Sequence, residues 1–108
     1  MTYEDIVYMV RNVFENADAR KVLEHVAIQV NVTGEGGGIF YVEIAERHIC
    51  VEPYDYYDRD CLLEIPSNVI LELLEKKYTL ASAIEDELVK FYGDKRKMNL
   101  CLSKIKLR

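Results

Sequence analysis

Hydrophobic and polar residues alternate along this chain with two different periods. From Val26 to Ile44 (VAIQVNVTGEGGGIFYVEI) the period is two. Ile28, Val30 and Val32 alternate with Gln29, Asn31 and Thr33, and Phe40, Val42 and Ile44 alternate with Tyr41 and Glu43. Such alternation places apolar side chains on one face of a strand and polar ones on the other. It predicts two strands whose apolar face must be covered. Gly34, Gly36, Gly37 and Gly38 lie between them and predict a tight reversal through positive φ angles, hence a hairpin.

Elsewhere the period is helical. Residues 3–16 place Ile6, Val7, Val10, Val13 and Phe14 on one face. Thr2 is a ready N-cap, Asp5 completes a capping box, and Glu4 and Asp5 suit the positive helix end. A break at residues 16–18 leads into ARKVLEHV (19–26), expected as a short helical piece burying Val22, Leu23 and Val26. After the hairpin, His48–Glu52 reads as a third strand ended by Pro53, and Tyr54–Asp60 (YDYYDRD) as an exposed loop. Cys61–Ile65 reads as a fourth strand with Cys61, Leu63 and Ile65 facing one way, and Pro66 stops it. A helix is expected from Pro66-Ser67-Asn68 through Lys77, with an apolar stripe of Val69, Ile70, Leu73 and Leu74. Residues 79–94 fit one continuous helix or a short helix followed by a strand, and periodicity leaves both open. The final stretch, KRKMNLCLSKIKLR, puts Met98, Cys101, Leu102 and Ile105 on one helical face among basic residues.

A length of 108 residues bounds the answer to one domain. Its expected parts are an N-terminal helical part (1–25), a sheet with central helices (26–94) and a basic C-terminal helix (95–108). No apolar run approaches the ~18 residues that span a bilayer, and the acidic N-terminus lacks signal-peptide character, so a cytoplasmic protein is expected. Cys50, Cys61 and Cys101 are odd in number and scattered, which suggests neither a disulfide framework nor a zinc site. The net charge of −5 is unevenly placed, with +6 in residues 95–108 and −11 in residues 1–94. An acidic body argues against nucleic-acid binding, which needs a basic surface.

Candidate chemistry is sparse. The GEGGG turn invites a phosphate-loop reading, but a strand follows it where a helix N-terminus is required. Glu52, Asp55, Asp58 and Asp60 form an acidic cluster, yet no glycine lies between Gly38 and Gly93 to make a calcium loop. His25 has no visible partner, His25 and His48 lack metal-pair spacing, and no nucleophile motif occurs. Neither an enzyme, a cofactor nor a metal is expected. What remains is a sheet with one apolar face, amphipathic helices to cover it and a basic amphipathic tail. That design either encloses a hydrophobic ligand or packs solidly on itself.

From Val26 to the C-terminus the chain resembles the sterol carrier protein type 2 family of small lipid-binding domains. The carriers are IQVNVTGEGGGIFYVEI for the first hairpin, HICVEPY for the third strand, and DCLLEIPSNVILELLEKKYTLASAIEDELVKFYGD for a strand-helix-helix-strand run. The resemblance implies an α+β fold, a five-stranded, mainly antiparallel sheet with helices packed on one face. It makes residues 79–85 a short helix and about 87–92 a fifth strand, with Val89 and Phe91 on the covered face. Departures are also visible. Lys76-Lys77 replaces the family's glycine-lysine, the proline of the next helix is absent, Asp86-Glu87 replaces a glycine before the last strand, and the final helix is cationic.

Family members hold fatty acids, fatty acyl-CoA, sterols or other lipids between sheet and helices, with the C-terminal helix as lid. By position, the resemblance implies a lining of Phe40, Val42 and Ile44 from the second strand. Leu73, Leu74, Leu80 and Ile84 would come from the helices, Phe91 from the last strand, and Met98, Leu102 and Ile105 from the lid. The expected function is non-catalytic binding or carrying of a fatty acid, acyl-CoA or related lipid, with transient contact to anionic membranes through the basic tail. The alternatives are an interaction module, such as a homodimer with a solid core, or an accessory domain to an enzyme.

Overall fold

The computed structural model describes residues 2–105. The end of the basic stretch, residues 106–108 with Lys106 and Arg108, lies outside the described residues. Along the chain run α1 (Tyr3–Glu15), β1 (Val26–Thr33), β2 (Gly38–Ala45), β3 (His48–Glu52), β4 (Cys61–Pro66), α2 (Ser67–Leu74), α3 (Leu80–Glu85), β5 (Lys90–Gly93) and α4 (Lys95–Lys104). The strands form one sheet in the order β3-β2-β1-β4-β5. Only the β1–β4 pair is parallel, and the helix-bearing crossover occurs after β4 rather than between the two; the other pairs are antiparallel.

Register explains the core. One row across the sheet reads Val51, Val42, Ile28 and Cys61, and the next reads Phe40, Val30, Leu63 and Phe91. All four helices add side chains to this face: Ile6, Val7 and Val10 from α1, Val69 and Ile70 from α2, Ala83 from α3, and Met98 and Cys101 from α4. The buried thiols of Cys61 and Cys101 are pushed up by desolvation, Cys101 to about 11, so both act as small apolar residues. Thr2 caps α1 in the expected capping box with Asp5.

The loop over residues 54–60 is exposed at positions 54, 55 and 57–59, as expected, yet it also covers part of the polar face of the sheet. Tyr57 is fully open, but Tyr56 folds back onto the sheet. Its amide donates to Gln29 Oε1 at 3.0 Å, its hydroxyl to Glu43 Oε2 at 2.7 Å, and its ring meets Tyr41 edge-on at 5.0 Å. Gln29 is therefore buried yet satisfied. The acceptor Glu43 pushes the Tyr56 phenol up to about 12.

The helical piece expected over 19–26 does not form. Asp18 accepts from the Arg20 amide at 3.0 Å and pairs with its guanidinium, giving the backbone a turn in place of a helix. Val22 is buried, whereas Leu23 is 72% exposed. The hairpin glycines also divide their work. Gly34 and Gly36 have positive φ, whereas Gly38 is needed because the Tyr3 ring lies where its Cβ would be.

Helix α2 stops at Leu74, short of Lys77, and β5 starts at Lys90, because Schellman motifs end both central helices. Lys77 N–H bonds Glu72 C=O at 2.9 Å and Lys76 N–H bonds Leu73 C=O at 3.1 Å; Leu88 and Glu87 do the same to Ala83 and Ile84. The left-handed residues are Lys76 (φ 62°) and Glu87 (φ 61°), where the resemblance expects glycine. The chain thus keeps the turn without the residue that favours it. Replacing Lys76 or Glu87 by Gly should raise stability by up to ~1 kcal/mol each in chemical denaturation, the αL relief exceeding the entropy glycine adds.

Candidate functional site

Helix α4 begins against its own dipole. Lys95, Arg96 and Lys97 occupy the first turn, where acids are favoured, and only the Asp94 cap offsets them locally. Successive residues on a helix point about 100° apart, so the three cations go to different places. Arg96 makes a two-pronged pair with Glu24 at 2.6 and 2.7 Å. Lys97 Nζ reaches Asp60 Oδ1 at 2.8 Å and the His25 carbonyl at 3.2 Å. Lys95 has no ion-pair partner among the described residues.

Asp60 ties this end down. Its other carboxylate oxygen accepts from Ala27 N–H at 2.8 Å, its own N–H donates to Ala27 C=O at 2.8 Å, and its carbonyl accepts from Asp94 N–H at 3.0 Å. Gly93 (φ 116°) permits this approach, since a Cβ there would sit 2.3 Å from the Asp60 carbonyl oxygen. The rest of α4 is held differently. Among the described residues, positions 98–105 make no hydrogen bond or ion pair to another element, and contact is through Met98, Leu100, Cys101 and Ile105.

Between α3, β5 and α4 lies a partly open cleft of about 170 Å³, lined by Ala81, Ile84, Phe91, Lys95, Met98, Asn99 and Leu102. The α4 contribution is a stripe at positions 95, 98, 99 and 102, the spacing of one helical face. A broader depression of about 360 Å³ over the α2–α3 turn is lined by Lys76, Lys77, Tyr78, Thr79, Ser82 and Asp86, which is too polar for an acyl chain.

The eleven residues expected to line a ligand site separate into three groups. Ile84, Phe91, Met98 and Leu102 meet in the cleft. Phe40, Val42 and Ile44 are 1%, 6% and 0% exposed and lie inside the packed core. Leu73, Leu74, Leu80 and Ile105 are partly buried against that core, outside the cleft. Ala81, Lys95 and Asn99 were not anticipated, although the 95-98-99-102 stripe is legible once α4 is placed.

His25 does have partners. Its Nε2 lies 2.7 Å from Glu43 Oε2 and 3.3 Å from the Tyr56 hydroxyl. Hydrogen bonds from His25 and then Tyr56 hold the Glu43 carboxyl below its usual range, against the opposing effect of burial. By register Glu43 is on the sheet face opposite Phe91, so this cluster lies across the sheet from the cleft. The expected acidic cluster is dispersed: Glu52 pairs with Arg11 at 3.4 Å and Asp60 with Lys97.

The family model for the SCP-2 sterol transfer family matches residues 10–100. The chain belongs to the SCP-2 sterol transfer family. No curated protein sequence matches it significantly. Among solved structures it is similar to sterol carrier protein 2 like 2 from Aedes aegypti, at 18% identity and TM-score 0.69, with 92% of each chain covered. The same species' sterol carrier protein 2 in complex with palmitate aligns at 13% identity and TM-score 0.59 over 98% of both chains. An inverting sec-alkylsulfatase from Pseudomonas sp. aligns at 13% identity and TM-score 0.60, over 76% of this chain and only 13% of the sulfatase. At these identities the likeness is one of fold, and the SCP-2 fold occurs both alone and as a small part of an enzyme. Among the described residues of this SCP-2 member, no helix is long and apolar enough to cross a membrane.

Asp60 makes the anchoring of α4 sensitive to acid. Burial opposes its ionisation, but hydrogen bonds from Lys97 and Ala27 outweigh this and hold the carboxyl below its usual value of 3.8. A carboxylate depressed on folding stabilises the protein fully above its unfolded pKa, and that contribution is lost as pH falls through the folded value. Thermal stability should therefore drop below about pH 4, and Asp60→Asn should reduce that part of the drop in melts taken from pH 7 to pH 2.5.

Proposed function

We propose that this chain binds and carries a single-chain lipid, a fatty acid, acyl-CoA or related molecule, with its tail in the cleft between α3, β5 and α4. The observation that carries this reading is the pairing of an apolar cleft with a helix anchored by polar contacts at one end only. Family membership and the fold it shares with a palmitate-bound relative support the same conclusion.

A cleft of about 170 Å³ is smaller than the roughly 300 Å³ at which small-ligand pockets begin. A long chain must therefore part α4 from α3. The apolar end of α4 moves most easily, since among the described residues no directional bond holds it to another element. The polar end pivots on Asp60 and Glu24. Each methylene buried is worth about 0.8 kcal/mol, roughly a fourfold gain in affinity.

Binding rather than catalysis is the activity this site supports. Among the described residues its lining has no thiol, hydroxyl, imidazole or carboxylate, and the His25–Glu43–Tyr56 cluster faces away from it. The fused arrangement in the sulfatase shows that such a fold also serves as part of an enzyme, but the cleft described here contributes no reacting group.

Native mass spectrometry of the purified protein, with organic extraction of what travels with it, tests the proposal directly. A stoichiometric lipid is expected; a bare mass that stays unchanged after incubation with fatty acids and acyl-CoA would refute it. Variants then locate the site. Leu102 is 38% exposed, so Leu102→Glu should weaken lipid binding at least tenfold (about 1.4 kcal/mol) with little change in melting temperature. Phe40→Ala should instead cost about 3–5 kcal/mol of stability, the usual penalty for emptying a core aromatic.

A further inference from the structure

The cleft has one feature that a neutral apolar ligand does not account for. Lys95 stands on the same α4 stripe as Met98 and Leu102, with the Asn99 amide one turn along. Among the described residues no acid lines the cleft and Lys95 has no ion-pair partner. Its neighbours in sequence are occupied: Arg96 holds Glu24 and Lys97 holds Asp60. Of the three cations that open α4, Lys95 lines this mostly apolar groove, and among the described residues no acid pairs with it there.

We propose that Lys95, assisted by Asn99, selects single-chain lipids with an anionic headgroup over neutral ones of the same length. The inference rests on the reading of the cleft as a lipid site and adds the headgroup class to it. Two effects act in the same direction. An acyl chain laid against Phe91, Ile84 and Leu102 strips water from the ammonium group, which is unfavourable unless a counter-charge replaces that water. A carboxylate or similar anion replaces it with a charge-assisted hydrogen bond, and Asn99 Nδ2 offers a second donor. The positive end of the α4 dipole adds to the attraction. Neutral alcohols and sterols forgo these gains and leave Lys95 partly desolvated, so discrimination comes from repelling the wrong headgroup as well as attracting the right one.

The test compares three probes of one chain length, dodecanoate, dodecanol and dodecylamine, on wild type, Lys95→Gln and Lys95→Glu. Titrations are run at pH 8 and low salt, below the probes' aggregation limits. Wild type should bind dodecanoate about tenfold more tightly than dodecanol, the low end for a hydrogen bond to a charged group. Lys95→Gln should lose that preference by weakening dodecanoate alone, and Lys95→Glu should turn it toward dodecylamine. Lys95 is exposed, so melting temperatures should not move. Equal wild-type affinity for dodecanoate and dodecanol, or an equal loss of both in Lys95→Gln, overturns the role of Lys95 while leaving the carrier reading intact. Failure of wild type to bind any of the three overturns both.

Discussion

Asp60 is the point on which the arrangement of sheet and last helix depends. It ends the loop that crosses the polar face and immediately precedes β4. Its backbone exchanges bonds with Ala27 on β1 and Asp94 at the head of α4, and its carboxylate bridges Ala27 N–H and Lys97. One residue thus joins the start of the central strand, the start of its parallel neighbour and the start of the C-terminal helix. The side chains of Asp60 and Lys97 are both about one-fifth exposed (21% each), so the pair is shielded enough to matter yet near enough to water to escape the penalty of a deeply buried ion pair. Removing the carboxylate would strand the Ala27 amide and the Lys97 ammonium together, which is why neither partner explains the joint alone.

With α4 pinned at that end, the remaining interior divides into core and cleft by distance from the sheet's centre. Phe40, Val42 and Ile44 lie on β2, flanked by strands on both sides, and are at most 6% exposed. Phe91 lies on β5, an edge strand of four residues, where no further strand completes the wall. The six-residue α3 is too short to close that side. An apolar row that is sealed at its middle and open at its edge yields a solid core and a marginal groove from one continuous surface. The middle of the sheet is thus tightly packed, and the partly open cleft lies at its edge.

Strands β1–β4, the hairpin, α1 with its capping box, and the apolar face were legible in the sequence, because each rests on local periodicity or turn chemistry, whereas β5 was assigned only through the family resemblance. The sequence failed where a side chain diverted the backbone or where partners are far apart in sequence. Asp18 turned residues 19–26 away from a helix whose apolar spacing was adequate, and Lys76 and Glu87 occupy left-handed turns where the family resemblance expects glycine. Asp60 and Lys97 are 37 positions apart and Glu24 and Arg96 72 apart, so nothing local distinguishes them from solvated charges. Tyr56 looked like a loop residue because its partners Gln29 and Glu43 lie on strands read as facing water. Within the cleft, Ile84, Phe91, Met98 and Leu102 were named from the family resemblance, whereas Ala81 was not. Nor were Lys95 and Asn99, since a polar residue on a helical stripe normally marks the solvent side.

That last point bears on how a family of common fold comes to differ in what it carries. The sheet and the central helices tolerate little change, because a one-residue shift in a strand exchanges its two faces. The first turn of α4 is less constrained: its three cations radiate from one short segment, and among the described residues two are paired with acids of the body and the third is not. Changing the charge of the third alters the electrostatics of the cleft without touching the core or the Asp60 joint. The cationic character of α4 is then neither a general basic tail nor a simple counterweight to the acidic body. Arg96 and Lys97 tie the start of the helix to the body, and Lys95 beside them is one of the residues that line the groove.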